Sequence, residues 1–359
     1  SPAAWLAGST VAFARSLGEF GAVVFIAGNL PFKTEIAALL AFIRLEEYDY
    51  QGAAAIALVL LLIALILLAL SNLIQFRAAR HLEAHDEHPC ADPRPRPKPH
   101  RAAPADRAGL RADGDLRRGT AGFIFWRAFA DGWAVYLKNI ADPLVVHAIW
   151  LTTVVAVIVV PVNIAFGIAA AWAIARFRFP GRKLLMVLIE IPFSISPIIA
   201  GICYLLLYGR QGLLGPWLAA HDLKVMFALP GIVLVTMFVT APFVVREVLP
   251  LMQAQGSEQE QAAVTLGARG WQVFSRVTLP NIRWALLYGA VLCTARAVGE
   301  FGGVSVVSGS IRGQTNTLPL QIELMFNDLN TTGAFAAAST LTVIALVVLV
   351  IKAALESRR

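Results

Sequence analysis

The sequence predicts an all-α, polytopic membrane protein with about seven transmembrane helices and one polar interruption. Hydrophobic residues make up 58% of the 359 residues and charged residues only 15%, against about 45–50% and about 25% in soluble proteins. The charges are also unevenly placed, because residues 77–118 hold 17 of the 53 charged side chains. This composition excludes a water-soluble globular domain for most of the chain, and it excludes global disorder.

Seven apolar runs are long enough to cross a bilayer as helices. None of them alternates polar and apolar residues as the strands of a membrane barrel do. In the fourth run, Glu190 is followed by Pro192 and Pro197, which indicates either a plain kink or a broken helix near a transport pathway. The predicted spans are 4–28, 53–75, 144–175, 184–208, 225–250, 284–308 and 334–355.

Basic residues predict the direction of these spans. Arg176, Arg178, Arg182 and Lys183 crowd the short loop after the third span, and such clusters favour the cytoplasmic side of a membrane. Alternation then predicts that the loop between the fifth and sixth spans is inside. The net charge of +7 is explained by these loops, and nucleic acid is not predicted as a partner. The segments predicted to lie outside are 119–143, 209–224 and 309–333.

An internal repeat links the two ends of the chain. The string ARSLGEFGAVVFIAG from Ala14 recurs as ARAVGEFGGVSVVSG from Ala295, an offset of 281 positions. The same offset relates Gly52 to Gly333 without a gap. The sequence therefore predicts that residues 1–76 are a second copy of the two-helix unit at the end of the chain.

The repeat conflicts with the number of crossings. Equivalent orientation of the two copies requires a crossing between them, yet residues 77–143 contain no apolar run of sufficient length. Either one copy is inverted or a helix has been lost, and we favour loss. The predicted domains are a two-helix fragment over 1–76, a disordered Pro- and Arg-rich linker over 77–119, and a main domain over 120–359 that lacks its first helix. The linker is hypothesised to join two genes.

The loop between the fifth and sixth spans shows helical spacing in a polar context. Ser257 and Glu260 have the spacing of a capping box, and Gly267 is predicted to end the short helix that follows. A second amphipathic stretch is predicted to end at Leu279 and Pro280. Spacing alone allows a helix lying on the lipid interface or a docking helix that packs its Ala262 and Ala263 face on a cytoplasmic partner.

This loop resembles the EAA loop of ABC-importer permeases of the type I class. The resemblance rests on Ala262-Ala263, Gly267, and the later Leu279-Pro280. In that family the loop couples the permease to an ATP-hydrolysing subunit. The family's usual Glu corresponds to Gln261, with Glu260 beside it, so one particular ion pair with the partner is not carried over.

Longer strings are similar to one branch of that class. Residues 140–355 resemble the W-type permeases of sulfate/thiosulfate importers through VTLPNIRWALLYG, GEFGGVSVVSGSIRG and TLPLQIE, and residues 1–76 resemble the partner T-type subunit. The resemblance implies an incomplete type I permease fold, a sulfate or thiosulfate pathway, and a location in the bacterial plasma (inner) membrane. Its implied partners are an ATP-binding subunit, expected as a dimer, a T-type permease, a periplasmic or lipoprotein sulfate-binding protein, and membrane lipid.

Charged residues inside the predicted spans are the first pathway candidates. Arg296 and Glu300 lie four positions apart in the sixth span, a spacing that lets them neutralise each other on one helix face. Because a charge at mid-bilayer is costly, the pair is either a buried structural ion pair or part of the lining of an anion pathway. Gly299 and Gly303 predict close helix approach around Glu300.

Hydroxyl groups are the second set of pathway candidates, because hydroxyls and backbone N–H groups can hold an oxyanion without a full counter-charge. Ser305, Ser308 and Ser310 lie near the outer end of the sixth span. Packing between helices is the alternative role for these serines. Arg312, at the outer mouth, is either a solvated loop charge or a contact for an external binding protein.

The sequence contains no motif for catalysis or for a cofactor. It holds no GxxxxGK[ST], HExxH or GxSxG sequence, so the chain is predicted to be a non-catalytic permease subunit whose ATP is hydrolysed by another chain. His81, His85, His88 and Cys90 have the residue types but not the spacing of a closed zinc site. The competing interpretations are a permease for another oxyanion such as molybdate, a membrane-embedded enzyme, and a non-functional fusion product that inserts without transporting.

Overall fold

The computed structural model describes residues 33–83 and 122–356, and these residues contain helices and loops without a β-strand. The principal helices of the first part are α1 (Ala37–Glu46), α2 (Tyr50–Glu83), α3 (Trp133–Ile140), α4 (Pro143–Arg176), α5 (Arg182–Ser194), α6 (Pro197–Tyr208) and α7 (Gly215–Ala220). Those of the second part are α8 (Leu229–Gln255), α9 (Glu258–Thr265), α10 (Gly270–Val273), α11 (Leu279–Val298), α12 (Gly302–Ser308), α13 (Leu318–Asn327) and α14 (Thr331–Glu356).

Four of these helices are long and apolar enough to cross a membrane unbroken. They are α2, α4, α8 and α14, and two bent pairs, α5 with α6 and α11 with α12, would raise the number to six. The all-α polytopic prediction is confirmed. The predicted span over 4–28 lies outside the described residues, as does most of the predicted linker, although α2 continues past Arg77 to Glu83.

The predicted span over 184–208 is a broken helix. Helix α5 ends at Ser194 and α6 begins at Pro197, with a bend of 111° between them. Pro197 has no N–H to give to a preceding turn, so it is accommodated at the first position of a new helix. The broken helix, rather than the plain kink, is therefore what the prolines after Glu190 produce.

The predicted span over 284–308 is also broken. Helix α11 ends at Val298, α12 begins at Gly302, and the two are bent by 52°. The break leaves backbone N–H groups at the start of α12 that need partners inside the bundle, because the hydrocarbon region offers no water.

Helices α4, α8 and α11 pack against one another and form the centre of the bundle. Their contact surface is an apolar cluster that includes Ala171, Val244 and Ile282. The helices approach closely at Gly167, where an added Cβ would lie 2.5 Å from Val244 Cγ1. Close approach of this kind maximises dispersion contacts, which drive helix association in lipid where water-driven burial is absent.

The loops predicted to share one side of the membrane lie at the same end of the bundle. At one end Arg176 is paired with Glu260 of the loop between α8 and α11. At the other end, Thr332 donates a hydrogen bond to Asp131 at 2.6 Å. The contacts therefore agree with the alternation that the basic residues predict.

The sequence repeat is also a repeat in structure. Helices α1 and α13 have the same length, and their first residues are 281 positions apart. The first residues of α2 and α14 are also 281 positions apart. The turn that joins each pair has φ of 62° at Tyr48 and at Leu329. Each second helix is capped identically, because Gly52 N donates to Asp49 Oδ1 at 2.9 Å and Gly333 N donates to Asn330 Oδ1 at 3.0 Å.

This shared cap explains why both copies keep a glycine. A Cβ at Gly52 would lie 2.2 Å from the Asp49 carboxylate, and one at Gly333 would lie 2.6 Å from the Asn330 amide. The capping side chain folds over the glycine and leaves no room for a larger residue. The duplication read from the sequence thus extends to backbone geometry over the described part of the first copy.

Candidate coupling loop and transmembrane ion pair

The loop between α8 and α11 contains the short helix α9, which begins and ends at residues with special backbone conformations. Gly256 before it has φ of 64°, and Gly267 after it has φ of 86°. Positive φ is accessible to glycine without steric cost. The predicted stop at Gly267 is confirmed, and α9 is held as a separate element across the end of the bundle.

Glu260 ties this helix to the membrane domain. Its Oε2 lies 2.7 Å from Arg176 Nε, and Arg176 Nη2 donates to its Oε1 at 3.1 Å. The Thr278 hydroxyl donates to the same carboxylate at 2.8 Å, and Arg176 Nη1 donates to the Met252 carbonyl at 3.0 Å. The carboxylate therefore joins α9 to the end of α4 and to the turn before α11, and Arg176 in turn joins α4 to α8. Charge-assisted contacts of this kind are stronger than neutral hydrogen bonds.

The predicted capping box of Ser257 and Glu260 is wrong. The Ser257 side chain makes no cap to the helix and instead accepts a hydrogen bond from Gln261 Nε2 at 2.8 Å. Glu260 turns toward Arg176 because a charge-assisted pair is stronger than a bond to a backbone N–H. Gln261, which takes the position of the family's usual Glu, thus has a local role in α9.

Several apolar side chains of this loop are exposed. Ala262, Val264 and Trp271 are exposed, and Leu266 has 88% of its surface accessible. We call Ala262, Val264, Leu266 and Trp271 the coupling patch. Ala263 is half-buried at its edge. Helix α9 is thus anchored through Glu260 while the apolar side chains of the coupling patch stay exposed.

The stretch after α9 does not end at Leu279 and Pro280 as the sequence predicts. A π-helical turn over Phe274–Thr278 leads directly into α11, where Pro280 lies in the first turn. A proline in the first turn removes no intrahelical hydrogen bond. The chain is therefore helical from Gly270 to Val298, which links the loop mechanically to a membrane-spanning helix.

The predicted ion pair of Arg296 and Glu300 is present. Arg296 Nη1 lies 2.7 Å from Glu300 Oε2, and the Glu300 side chain is only 1% exposed whereas that of Arg296 is 29% exposed. The two residues do not share one helix face, however, because α11 ends at Val298. Glu300 lies in the break, and its Oε1 accepts a hydrogen bond from Gly303 N at 3.0 Å.

Glu300 therefore serves both sides of the break. Its carboxylate neutralises Arg296 of α11 and satisfies a backbone donor at the start of α12. Of the two glycines predicted to allow close packing, only Gly303 does so. An added Cβ there would lie 2.8 Å from Val235 Cγ2, whereas Gly299 meets only the Ala295 carbonyl at 3.4 Å.

The three predicted pathway serines lie at or just beyond α12. Ser305 is buried and donates to the Gly302 carbonyl at 2.8 Å. Ser308 is buried and accepts a hydrogen bond from Ser310 N at 3.2 Å. In this conformation α12 packs against α6 and α8, so the hydroxyls of Ser305 and Ser308 face protein.

A buried polar group that the sequence reading missed lies at the centre of the bundle. Asn163 of α4 donates to Thr240 Oγ1 at 2.7 Å and to the Met237 carbonyl at 3.2 Å in α8. Its amide also lies 3.7 Å from Cys293 Sγ in α11. The available signal was a single amide inside the third apolar run, because a buried amide in a membrane helix needs partners.

No group of three or more His, Cys, Asp or Glu residues with metal-binding geometry occurs among residues 33–83 and 122–356 for which side chains are described. The cluster of His81, His85, His88 and Cys90 falls outside those side chains.

Comparison with known proteins decides the family. Residues 163–359 match the family described as binding-protein-dependent transport system inner membrane component. The chain belongs to this family. It is therefore an inner-membrane component of a transport system, as its apolar helices require.

Two relatives and one solved structure show how far the similarity extends. The chain is 60% identical over 236 residues to the sulfate transport system permease protein CysW of Escherichia coli K12, covering 66% of this chain and 81% of that protein. It is 38% identical over 226 residues to the CysT permease of the same organism, covering 63% and 82%. A bacterial alginate ABC transporter crystallised with its periplasmic protein has a TM-score of 0.52 at 17% identity, covering 69% and 94%, which supports the fold alone.

Proposed function

We propose that this chain is a permease subunit of an ATP-driven sulfate importer. The observation that carries the proposal is the 60% identity to a sulfate transport permease across 81% of its length. Similarity at that level over 236 residues is expected to preserve the substrate class. Thiosulfate, a tetrahedral dianion of similar size, is included in the proposal.

The ATP-hydrolysing partner is proposed to dock on the coupling patch. Leu266 and Trp271 are large apolar side chains held in water at the end of the bundle, and such patches mark protein contacts. The anchored side of α9, through Glu260 and Arg176, would transmit a displacement of the docked partner to α4 and α8. Rigid elements of this kind support the domain rotations used in alternating access.

Arg296 is the proposed charged group of the anion pathway. Its guanidinium is partly exposed while its partner Glu300 is buried, so the positive end of the pair is the accessible one. Pairing keeps the site close to neutral, which favours transient rather than tight binding of a dianion. Ser305, Ser308 and Ser310 would contact the anion when α12 moves relative to α6 and α8.

Two further partners are proposed on the outer side and in the membrane. A T-type permease would complete the pathway, and residues 1–76 are proposed to be a two-helix unit of that type, followed by a linker over 77–119 and the W-type domain over 120–359. An external sulfate-binding protein would deliver the anion to the outer loops near Arg312, which forms a bidentate pair with Asp328.

The deciding experiment is uptake of labelled sulfate by a bacterial strain that lacks its own W-type permease but retains the other subunits. We expect this chain to restore the uptake of labelled sulfate. We expect no uptake of labelled molybdate by the same cells. Restored molybdate uptake without sulfate uptake would assign a different oxyanion. Insertion into the membrane without uptake of either anion would identify a non-functional fusion product.

A second experiment tests the coupling patch separately. Ala262→Arg places a charge on the exposed side of α9, and we expect it to abolish co-purification with the ATPase subunit. Ala220→Arg, at an exposed alanine at the end of α7, is the matched control. A complex that tolerates Ala262→Arg as well as the control would show that the partner docks elsewhere.

A further inference from the structure

The two copies of the repeated helix pair share one fold but have different neighbours. Helix α2 of the first copy packs against α5 and α6, whereas α14 of the second copy packs against α3 and α11. The two helices are equivalent position by position. Where equivalent side chains differ in burial, the difference shows which face of each helix contacts a neighbouring helix.

The first alanine of the helix is buried in both copies, Ala53 in one and Ala334 in the other, and the first copy then continues with a buried stripe of Ala57, Ala64 and Leu68. Ala57 and Ala64 belong to an apolar region shared with the bent helices, whose buried members include Ile198 and Ile202. Two alanines on the stripe let the backbones approach closely, the usual arrangement of helix contacts in lipid. A bent helix pair thus fits this face of the repeat.

The equivalent stripe of the second copy is uncovered. Positions 281 further along are Ala338, Ala345 and Leu349. Ala338 is half-buried, Ala345 is exposed and Leu349 is 51% exposed. The side chains are small or apolar at the same places, but nothing among the described residues packs against them as α5 and α6 pack on α2.

The second copy instead uses another face to contact its own domain. Ala336 and Ser339 are fully buried, and the Ser339 and Tyr136 hydroxyls lie 3.1 Å apart. Their equivalents in the first copy, Ala55 and Leu58, are exposed. The repeated helix therefore has two contact faces. Helix α14 uses one of them to pack on its own domain, and α2 uses the other to pack on a bent helix pair.

We propose that the stripe of Ala338, Ala345 and Leu349 on α14 is the docking face for a second permease subunit, whose bent helices equivalent to α5 and α6 cover it. The inference rests on the proposed function, because that function requires a second permease. The first copy within this chain shows such a contact already formed. Helix α2 also covers the α5 and α6 face of this chain. The α14 stripe is therefore the face that is still available to the partner subunit.

The test is photo-crosslinking in membranes from cells that co-express the full chain with CysT and the ATPase subunit. A benzophenone side chain is placed at position 345, on the stripe, or at position 343. Val343 and its equivalent Leu62 are exposed in both copies, which makes position 343 a lipid-facing control. We expect a crosslink to CysT from position 345 and none from position 343.

A substitution gives a second measurement. Ala345→Trp overfills the interface and should weaken co-purification of CysT about tenfold, as overpacking does elsewhere, whereas Val343→Trp should leave it unchanged. The crosslink remains decisive if the tryptophan variant fails to accumulate.

The outcomes separate the interface from the function. Crosslinking of position 345 only to lipid or to a second copy of this chain, with sulfate uptake intact, would overturn the interface and leave the function standing. Absence of both uptake and a CysT complex in the unsubstituted chain would overturn both.

Discussion

Two arginine–glutamate pairs occupy opposite parts of this molecule, and they differ in what they hold together. Arg176 and Glu260 are 84 residues apart, are 12% and 15% exposed, and join a loop helix to the bundle. Arg296 and Glu300 are separated by four positions in the sequence, and Glu300 is 1% exposed at a helix break. The first pair holds the loop helix on the bundle, and the second gives the polar groups at a helix break their partners.

The comparison also shows a shared rule. Each carboxylate receives a second donor besides its arginine, the Thr278 hydroxyl in one pair and the Gly303 N–H in the other. A buried carboxylate with several acceptor positions needs more than one partner to offset its lost hydration. The cost of removing a partner should therefore follow burial.

The largest effect is expected at Arg296. Arg296→Met leaves the buried Glu300 carboxylate without its counter-charge, which is expected to cost about 3–5 kcal/mol of folding free energy. Thermal unfolding in detergent measures this loss. The double variant that also carries Glu300→Gln should recover much of the stability, and an undiminished midpoint in the single variant would show that the pair is dispensable.

A smaller effect on stability, with a distinct effect on function, is expected at Arg176. Arg176→Ala removes the link between α9 and the bundle and should cost about 1–3 kcal/mol. We expect the ATPase complex to form but ATP hydrolysis to lose its dependence on transport. Arg178→Ala, an exposed cation in the same loop, is the control. Equal coupling in both variants would contradict a transmitting role for the pair.

The carboxylates of Glu46 and Glu323 form a like-charge pair, which predicts a dependence of stability on pH. Partial burial, with a smaller contribution from the Glu46 carboxylate, raises the pKa of Glu323 to about 7 from 4.5. Because the folded chain holds this proton more tightly, the stabilisation is complete below pH 4.5 and is lost as the pH rises through 7. Unfolding midpoints between pH 5 and 8 should fall with pH, and Glu46→Gln should reduce the slope. A slope that Glu46→Gln leaves unchanged would show no coupling.

The smallest effect is expected at the outer surface. Arg312 and Asp328 form a bidentate pair at 2.7 and 2.9 Å, but about half of each side chain is exposed. Surface pairs of this kind contribute about 0–1 kcal/mol, so Arg312→Ala should barely change the unfolding midpoint. A loss as large as that at Arg296 would refute the rule that burial decides the cost.

Prediction from sequence succeeded where a single local property was sufficient. The apolar runs identified α4, α8 and α14 because length and hydropathy alone decide whether a helix can cross a bilayer. The repeat predicted equivalent helices, and the shared Asp49 and Asn330 caps bear this out in backbone geometry. The i,i+4 spacing of Arg296 and Glu300 likewise anticipated their contact.

Prediction from sequence failed where a residue could have more than one partner. Glu260 had the spacing of a cap but was drawn to Arg176, a residue 84 positions away that local reasoning had used only for membrane orientation. The break at Pro197 was left open because proline is compatible with both a kinked and an interrupted helix. Asn163 was overlooked because its partners come from two other helices.

The amino-acid sequence by itself determined the class of this protein, the apolar runs and the internal repeat, because these depend on composition and periodicity along the chain. Only the tertiary structure decided which face of each repeated helix is buried, where Glu260 points, and how the breaks before α6 and α12 are satisfied. Those outcomes depend on which groups meet across distant segments, and in a bilayer every polar group left by a break must find its partner within the protein.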